Sequence, residues 1–151
     1  MNELEFIIFN LGKEEYAVRI CYAQEILRVP KEFISLPDTP SFIEGVINLR
    51  GTIIPVVNLN KRFKISKVED IDNRLLILEL DNTRLGIIVN DVAEVIKIDE
   101  NLIKSVDTEI VKIAKNSFEG MVVIQERVII LLNALKLKSE IYKYDMEKEL
   151  A

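Results

Sequence analysis

The sequence predicts a mainly β protein: two small five-stranded barrels related by a pseudo-two-fold axis, with short helical turns and a C-terminal helix. Three observations lead there. Short β-branched and aliphatic runs alternate with polar turns along the whole chain. Residues 9–29 align without a gap with residues 78–98, so that Leu11 faces Leu80, Ala17 faces Gly86 and Glu25-Ile26 faces Glu94-Val95. Residues 43–59 align in the same way with 118–134, keeping Glu44-Gly45 as Glu119-Gly120 and Asn58 as Asn133. Two repeated blocks in the same order mean an internal duplication, and two copies are too few for a solenoid.

Local pattern accounts for each element. Residues 5–11 and 15–20 read as strands joined by the Gly12-Lys13-Glu14 turn, and 23–29 as a third strand ending at Pro30. Pro37 and Pro40 mark 31–41 as a connector. Residues 45–50 and 52–58 form a hairpin around Asn48-Leu49-Arg50-Gly51, with a helical turn at 59–63. Pro55, inside a strand, points to an edge position or a bulge. The charged stretch 64–73 is the linker between copies. The second copy supplies strands near 74–80, 84–89, 92–97, 120–124 and 127–132, with connector sequence at 99–104 and 108–117. Leu135, Leu137, Ile141 and Met146 among Lys and Glu predict an amphipathic helix over 135–150. The barrels correspond to roughly 5–63 and 74–134, intertwined or adjacent, within a single domain.

Composition removes most chemistry. The net charge of −5 argues against a nucleic-acid binder, which needs a basic face. Histidine is absent, which removes the commonest general acid–base and metal ligand. The single cysteine, Cys21, rules out a disulfide within the chain and zinc-site spacing, and fits a reducing compartment. Leu11-Gly12-Lys13 lacks the rest of a phosphate loop. No basic, apolar leader follows Met1, and no apolar run has the length of a membrane span, so a cytosolic location is expected. Carboxylate pairs such as Asp70/Asp72 and Asp99/Glu100 stand in turns, where surface charge is the plain reading; a small carboxylate-dependent hydrolase using Arg50 is the alternative. The chemistry left to the chain is binding, without catalytic residues, metal or cofactor.

The duplication separates fold from function. Glu44, Gly45, Glu25 and the aliphatic runs occur in both copies and are attributed to the fold. Arg50 faces Gln125, so the unit does not need an arginine there. Apolar strands flanking such a hairpin can dock a helix or another barrel, with the arginine fixing orientation through carboxylates or backbone oxygens.

Leu11-Gly12, Tyr16-Ala17-Val18, Gln24-Glu25-Ile26, Pro40-Ser41-Phe42-Ile43-Glu44-Gly45 and the run from Val46 to Leu59 resemble the CheW-like family of chemotaxis coupling proteins. Gly86-Ile87-Ile88-Val89, Val92 and Glu94-Val95 extend the resemblance into the second half. It implies two SH3-like barrels in a non-catalytic adaptor. Such an adaptor joins the cytoplasmic tip of chemoreceptors to the regulatory domain of the chemotaxis histidine kinase, and self-associates in arrays. It is cytoplasmic and reaches the membrane through receptors. Carried over by position, the resemblance makes Ile20, Ala23, Val92, Val95 and, more weakly, Ile7 receptor-binding residues. Arg50 becomes the functional hairpin arginine and Glu25 its ionic partner, while Gly45 and Gly86 become glycines pressed against close-packed backbone. Asn90 stands where many members carry aspartate, and Ala23 is smaller than the usual branched residue. A CheW-like adaptor serving a non-chemotaxis kinase pathway would show the same barrels.

Overall fold

The structure, a computed structural model, describes residues 2–65, 73–105 and 117–143. The first copy gives β1 (Glu3–Leu11), β2 (Glu14–Arg19), β3 (Ala23–Arg28), β4 (Ile43–Leu49), β5 (Thr52–Asn58) and α1 (Leu59–Arg62). The second gives β6 (Arg74–Leu80), β7 (Thr83–Val89), β8 (Asp91–Asp99), β9 (Phe118–Ile124), β10 (Arg127–Leu132) and α2 (Ala134–Tyr142). Two 3₁₀ turns, Ile20–Tyr22 and Glu100–Leu102, continue directly from the ends of β2 and β8. Neither was legible from periodicity, because three residues are too few to show one. Most of the expected linker (66–72) lies outside the described residues, as do 106–116 in the second connector and 144–150 of the expected helix.

The strands form two five-stranded sheets, each fitting an SH3-like barrel, in the orders β8-β1-β2-β10-β9 and β3-β6-β7-β5-β4. The two orders are the same once β6–β10 are read as the repeats of β1–β5. The barrels are nevertheless not the two sequence halves. The runs 5–63 and 74–134 are exchanged: β1 and β2 complete the sheet of β8–β10, and β6 and β7 complete that of β3–β5. Side-chain pattern fixes sequence repeats but carries no information on which copy supplies the neighbouring strand.

Period-two alternation places the core in three layers. Phe6, Ile8, Ala17, Ile98, Val122, Ile129 and Leu131 fill the first barrel. Ile47, Ile54, Val56, Leu75, Ile77 and Ile88 fill the second. The intervening residues of β1 and β6, Ile7, Phe9 and Leu11 with Leu76, Leu78 and Leu80, point into a third cluster shared by both sheets and by Leu137 and Ile141 of α2. Both faces of β1 and β6 are thus covered, which explains why these strands carry such continuous apolar runs. Phe9, Tyr16, Phe63 and Phe118 meet in this shared layer, with neighbouring ring centroids 5.2–6.1 Å apart.

The outer strands β4 and β9 are each covered by a connector. Ile34 bridges Val46, and Lys104 bridges Met121. These bridges explain the repeated glycines. A Cβ on Gly45 would lie 2.2 Å from the Ile34 carbonyl oxygen, and one on Gly120 would lie 2.5 Å from that of Lys104. Gly86 differs from expectation, because its close neighbours are the side chains of Leu75 and Val56 and not backbone. Pro55 also departs from the edge or bulge expected of it. It lies in β5, an internal strand, one residue before the parallel ladder Val56–Asn58 with β7 begins. The missing N–H therefore interrupts no rung of that ladder.

Candidate functional site

The β4–β5 hairpin closes through the two-residue turn Arg50-Gly51, both left-handed with φ of 49° and 87°. Two positive φ values are what the twist of a tight hairpin demands. Asn48 Oδ1 accepts the Gly51 N–H at 2.9 Å and fixes the turn. Arg50 is thereby held at the tip with its side chain 67% exposed, and its guanidinium donates to the Glu25 carboxylate. Glu25 belongs to β3 and the hairpin carries β4, the two outermost strands of one sheet. The ion pair therefore ties the two ends of the sheet together and helps close the barrel.

The first barrel, built from β1, β2 and β8–β10, contains the same device in a shifted position. Arg127 donates to Glu94, the repeat of Glu25, at 3.0 Å, and to Glu15 through two bonds of 2.9 and 2.6 Å. An ungapped comparison pairs Arg50 with Gln125 and so misses that the charge reappears two residues on. The hydrogen bonds from Arg127 hold the Glu15 carboxyl below the usual carboxylate range, against the opposing effect of desolvation. The repeated glutamates at 44 and 119 are likewise paired, Glu44 with Lys61 and Glu119 with Arg19. Asp99 Oδ1 accepts the Asn101 N–H at 2.9 Å, capping the 3₁₀ turn. The other carboxylate pair, Asp70/Asp72, lies outside the described residues.

An open cavity of about 440 Å³ lies where the β8 edge approaches β3, lined by Ile7, Ile26, Arg74, Asp91, Val92, Ala93, Glu94 and Val95. Three of the five sequence-derived receptor-binding residues, Ile7, Val92 and Val95, meet here. Ile7 is the floor, 7% exposed and part of the shared core, with Val95 directly opposite it in register. Ile20, in the 3₁₀ turn, and Ala23, at the start of β3, do not line this cavity. Ala23 instead packs with Tyr22 against the shared core.

Ile26 was missed. It is 46% exposed and Val95 is 47% exposed. The two occupy equivalent places in the two copies, on β3 and on β8, so transferring Val95 across the duplication would have found Ile26. Asn90 is buried beside the site: its Oδ1 accepts the Gly12 N–H at 2.6 Å and its Nδ2 donates to Asn73 Oδ1 at 3.1 Å. The amide uses both its acceptor and its donor, which an ionised aspartate could not do.

A pair of interlocked barrels with an exposed apolar cavity at their strand edges, and an arginine presented on a hairpin tip, defines a docking domain. The chain belongs to the CheW-like domain family, whose family model matches residues 5–141. It is 35% identical over 136 residues to the chemotaxis protein CheW of Klebsiella aerogenes, covering 89% of this chain and 81% of that one. It is 32% identical over 142 residues to the chemotaxis protein CheW of Treponema pallidum, covering 91% and 83%. Among solved structures, the scaffolding protein TtCheW from Thermoanaerobacter tengcongensis is similar, with a TM-score of 0.79 and 36% identity over 88% of this chain and 86% of that one.

Proposed function

We propose that this chain is a chemotaxis adaptor that couples the cytoplasmic tip of chemoreceptors to the regulatory domain of the chemotaxis histidine kinase. It acts by binding alone, in the cytoplasm, and reaches the membrane through receptors; among the described residues no helix is long and apolar enough to cross a membrane. The observation that carries the reading is the cavity, in which Ile26 and Val95 stand half-exposed on facing edges of two barrels. Solvent-exposed aliphatics at equivalent positions of two strand edges suit one face of a helix. Membership of a family whose relatives are named chemotaxis proteins supports the pathway.

Receptor helices occupy this groove, with Val92, Val95 and Ile26 as contacts, Ile7 as floor, and Ile20 and Ala23 along the neighbouring turn. Kinase binding and self-association use barrel ends. Val123 and Val128, exposed cross-strand partners on the β9–β10 hairpin, offer one such surface. Arg50, anchored by Glu25, orients a partner at the β4–β5 tip. Adaptor coupling requires that these contacts differ between signalling states of the receptor. The test is a pull-down of purified chain against a receptor tip and a kinase regulatory domain. Binding to both, weakened by Val95→Asp, is expected; binding to neither at tens of micromolar would overturn the reading.

A further inference from the structure

The glutamates that precede the two exposed groove residues are tied down unequally. Glu94, next to Val95 on β8, and Glu25, next to Ile26 on β3, each accept an arginine from a hairpin of their own barrel. Arg50 makes one ion pair, from a side chain 67% exposed. Arg127, 38% exposed, holds two carboxylates at once, Glu15 on β2 and Glu94 on β8. It starts β10, so a single guanidinium joins three strands, although β1 and β2 separate β8 from β10 in the sheet.

The duplication shows that a barrel forms without this clamp. By the ungapped alignments, Arg127 corresponds to Thr52 and Glu15 to Arg84. There the contact is one long hydrogen bond, from Arg84 Nη1 to Thr52 Oγ1 at 3.5 Å. The second barrel nevertheless builds the same five-stranded sheet. Position gives the clamp a purpose. Glu94 lines the groove with Val92 and Val95. At the other end of the clamp, Arg127 directly precedes Val128, which faces Val123 across the β9–β10 hairpin, both of them exposed.

We propose that Arg127 is a positioning residue that makes the response to an occupied groove one-sided. It fixes the β8 wall to the β9–β10 hairpin, so a helix seated against Val95 moves the Val123–Val128 end more than the β4–β5 tip. This rests on the groove being the receptor site, and adds the route by which its occupancy reaches a second surface. The reason is geometric. Arg127 Nε and Nη2 donate in parallel to the two Glu15 oxygens, which sets the guanidinium plane and aims the other Nη2 hydrogen at Glu94. A single exposed pair such as Arg50 with Glu25 has no such fork and exchanges readily with water and ions. The link is therefore a shared guanidinium with defined bonds, and not spatial nearness alone.

The experiment records backbone amide shifts of the full isotope-labelled chain, free and saturated with a soluble chemoreceptor-tip hairpin, with melting temperatures alongside. The unaltered chain is expected to respond at β3 and β8, and more strongly at residues 121–123 than at their repeats, 46–48. Arg127→Met is expected to lose the response at 121–123 while keeping that of β8 beside the bound helix. Glu15→Gln, which frees the guanidinium plane, loses part of it. Ile129→Val, a core change in the same strand, is expected to lower the melting temperature and leave the response intact. Val95→Asp serves as the control for the groove. A β9–β10 response that is absent from the unaltered chain, that only equals the one at 46–48, or that survives in Arg127→Met would overturn the proposal and leave the groove standing. Loss of the response in Ile129→Val as well assigns Arg127 a merely structural role and overturns the proposal. Shifts absent from β3 and β8, or unaffected by Val95→Asp, overturn the groove reading and the proposal with it.

Discussion

At the scale of single residues, repeated positions have acquired unequal importance. Gly45 combines φ of +139° with a carbonyl oxygen 2.2 Å from any Cβ, so a side chain there strains the backbone and displaces the Ile34 bridge together. Gly45→Ala is expected to cost at least ~2 kcal/mol, read from denaturant midpoints. Gly86→Ala is expected to cost about 1 kcal/mol or less, because side-chain tips can yield and the first barrel carries Ala17 at the same place. Equal losses at the two sites would contradict this account of their surroundings. Glu15 supplies a pH test. A carboxyl lowered in the folded state contributes stability that is fully present above its unfolded value and is lost as pH falls through the lowered one. Arg127→Met should therefore flatten the acid limb of the stability curve, and an unchanged limb would show that Glu15 is not held by Arg127.

Elements were legible where their chemistry is local. Each of the ten strands has at least one end that periodicity put within one residue of its observed place, because alternation and turn residues act between near neighbours. The exchange of strands between barrels, and the Arg127 pair, depend on residues far apart in sequence and left no local mark. The groove was half-legible: Val92 and Val95 came from resemblance, and Ile26 was within reach only by carrying Val95 across the duplication, while the approach of β3 to β8 that joins them left no local mark. Helix α2 shows how an element is fixed from outside. Asn133 caps its start by accepting the Lys136 N–H, Leu137 and Ile141 face the shared core, and Glu140 accepts two bonds from Arg62 at 2.7 and 2.9 Å. The same guanidinium lies 5.5 Å and 5.7 Å from the Phe42 and Phe63 ring centres. Arg62 thus fastens α1, α2 and the connector before β4. Arg62→Ala is expected to destabilise by ~1–3 kcal/mol, and Arg62→Lys to recover less than half, since an ammonium cannot make the paired bonds. Full recovery with lysine would show that charge alone is needed.

At the scale of the whole molecule, strand exchange makes the halves interdependent. A fragment ending after residue 65 holds β3 without β6, its one sheet neighbour, and β2 without β10. A fragment beginning at residue 73 has β8 without β1 and β7 without β5. Each also loses one side of the shared core, in which Ile7, Phe9 and Leu11 pack with Leu76, Leu78 and Leu80. Neither fragment should melt cooperatively as a monomer, because each barrel is then missing two or three of its five strands. Mixed in equal amounts, the two should recover the β circular-dichroism signal and a single melting transition, since the exchanged strands supply their own docking surfaces. A monomeric fragment with its own cooperative transition would mean that the barrels are autonomous. The same interlock bears on signalling, because the groove wall on β8 and the one on β3 are each hydrogen-bonded to a strand of the other sequence half. Under the proposed function, a helix wedged between Ile26 and Val95 would push on both barrels at once, and its effect is expected to reach the barrel ends as a shift of one body. Amide exchange measured with and without a receptor hairpin should show protection changing in β4–β5 and β9–β10 together; a change confined to β3 and β8 would place coupling at the groove alone.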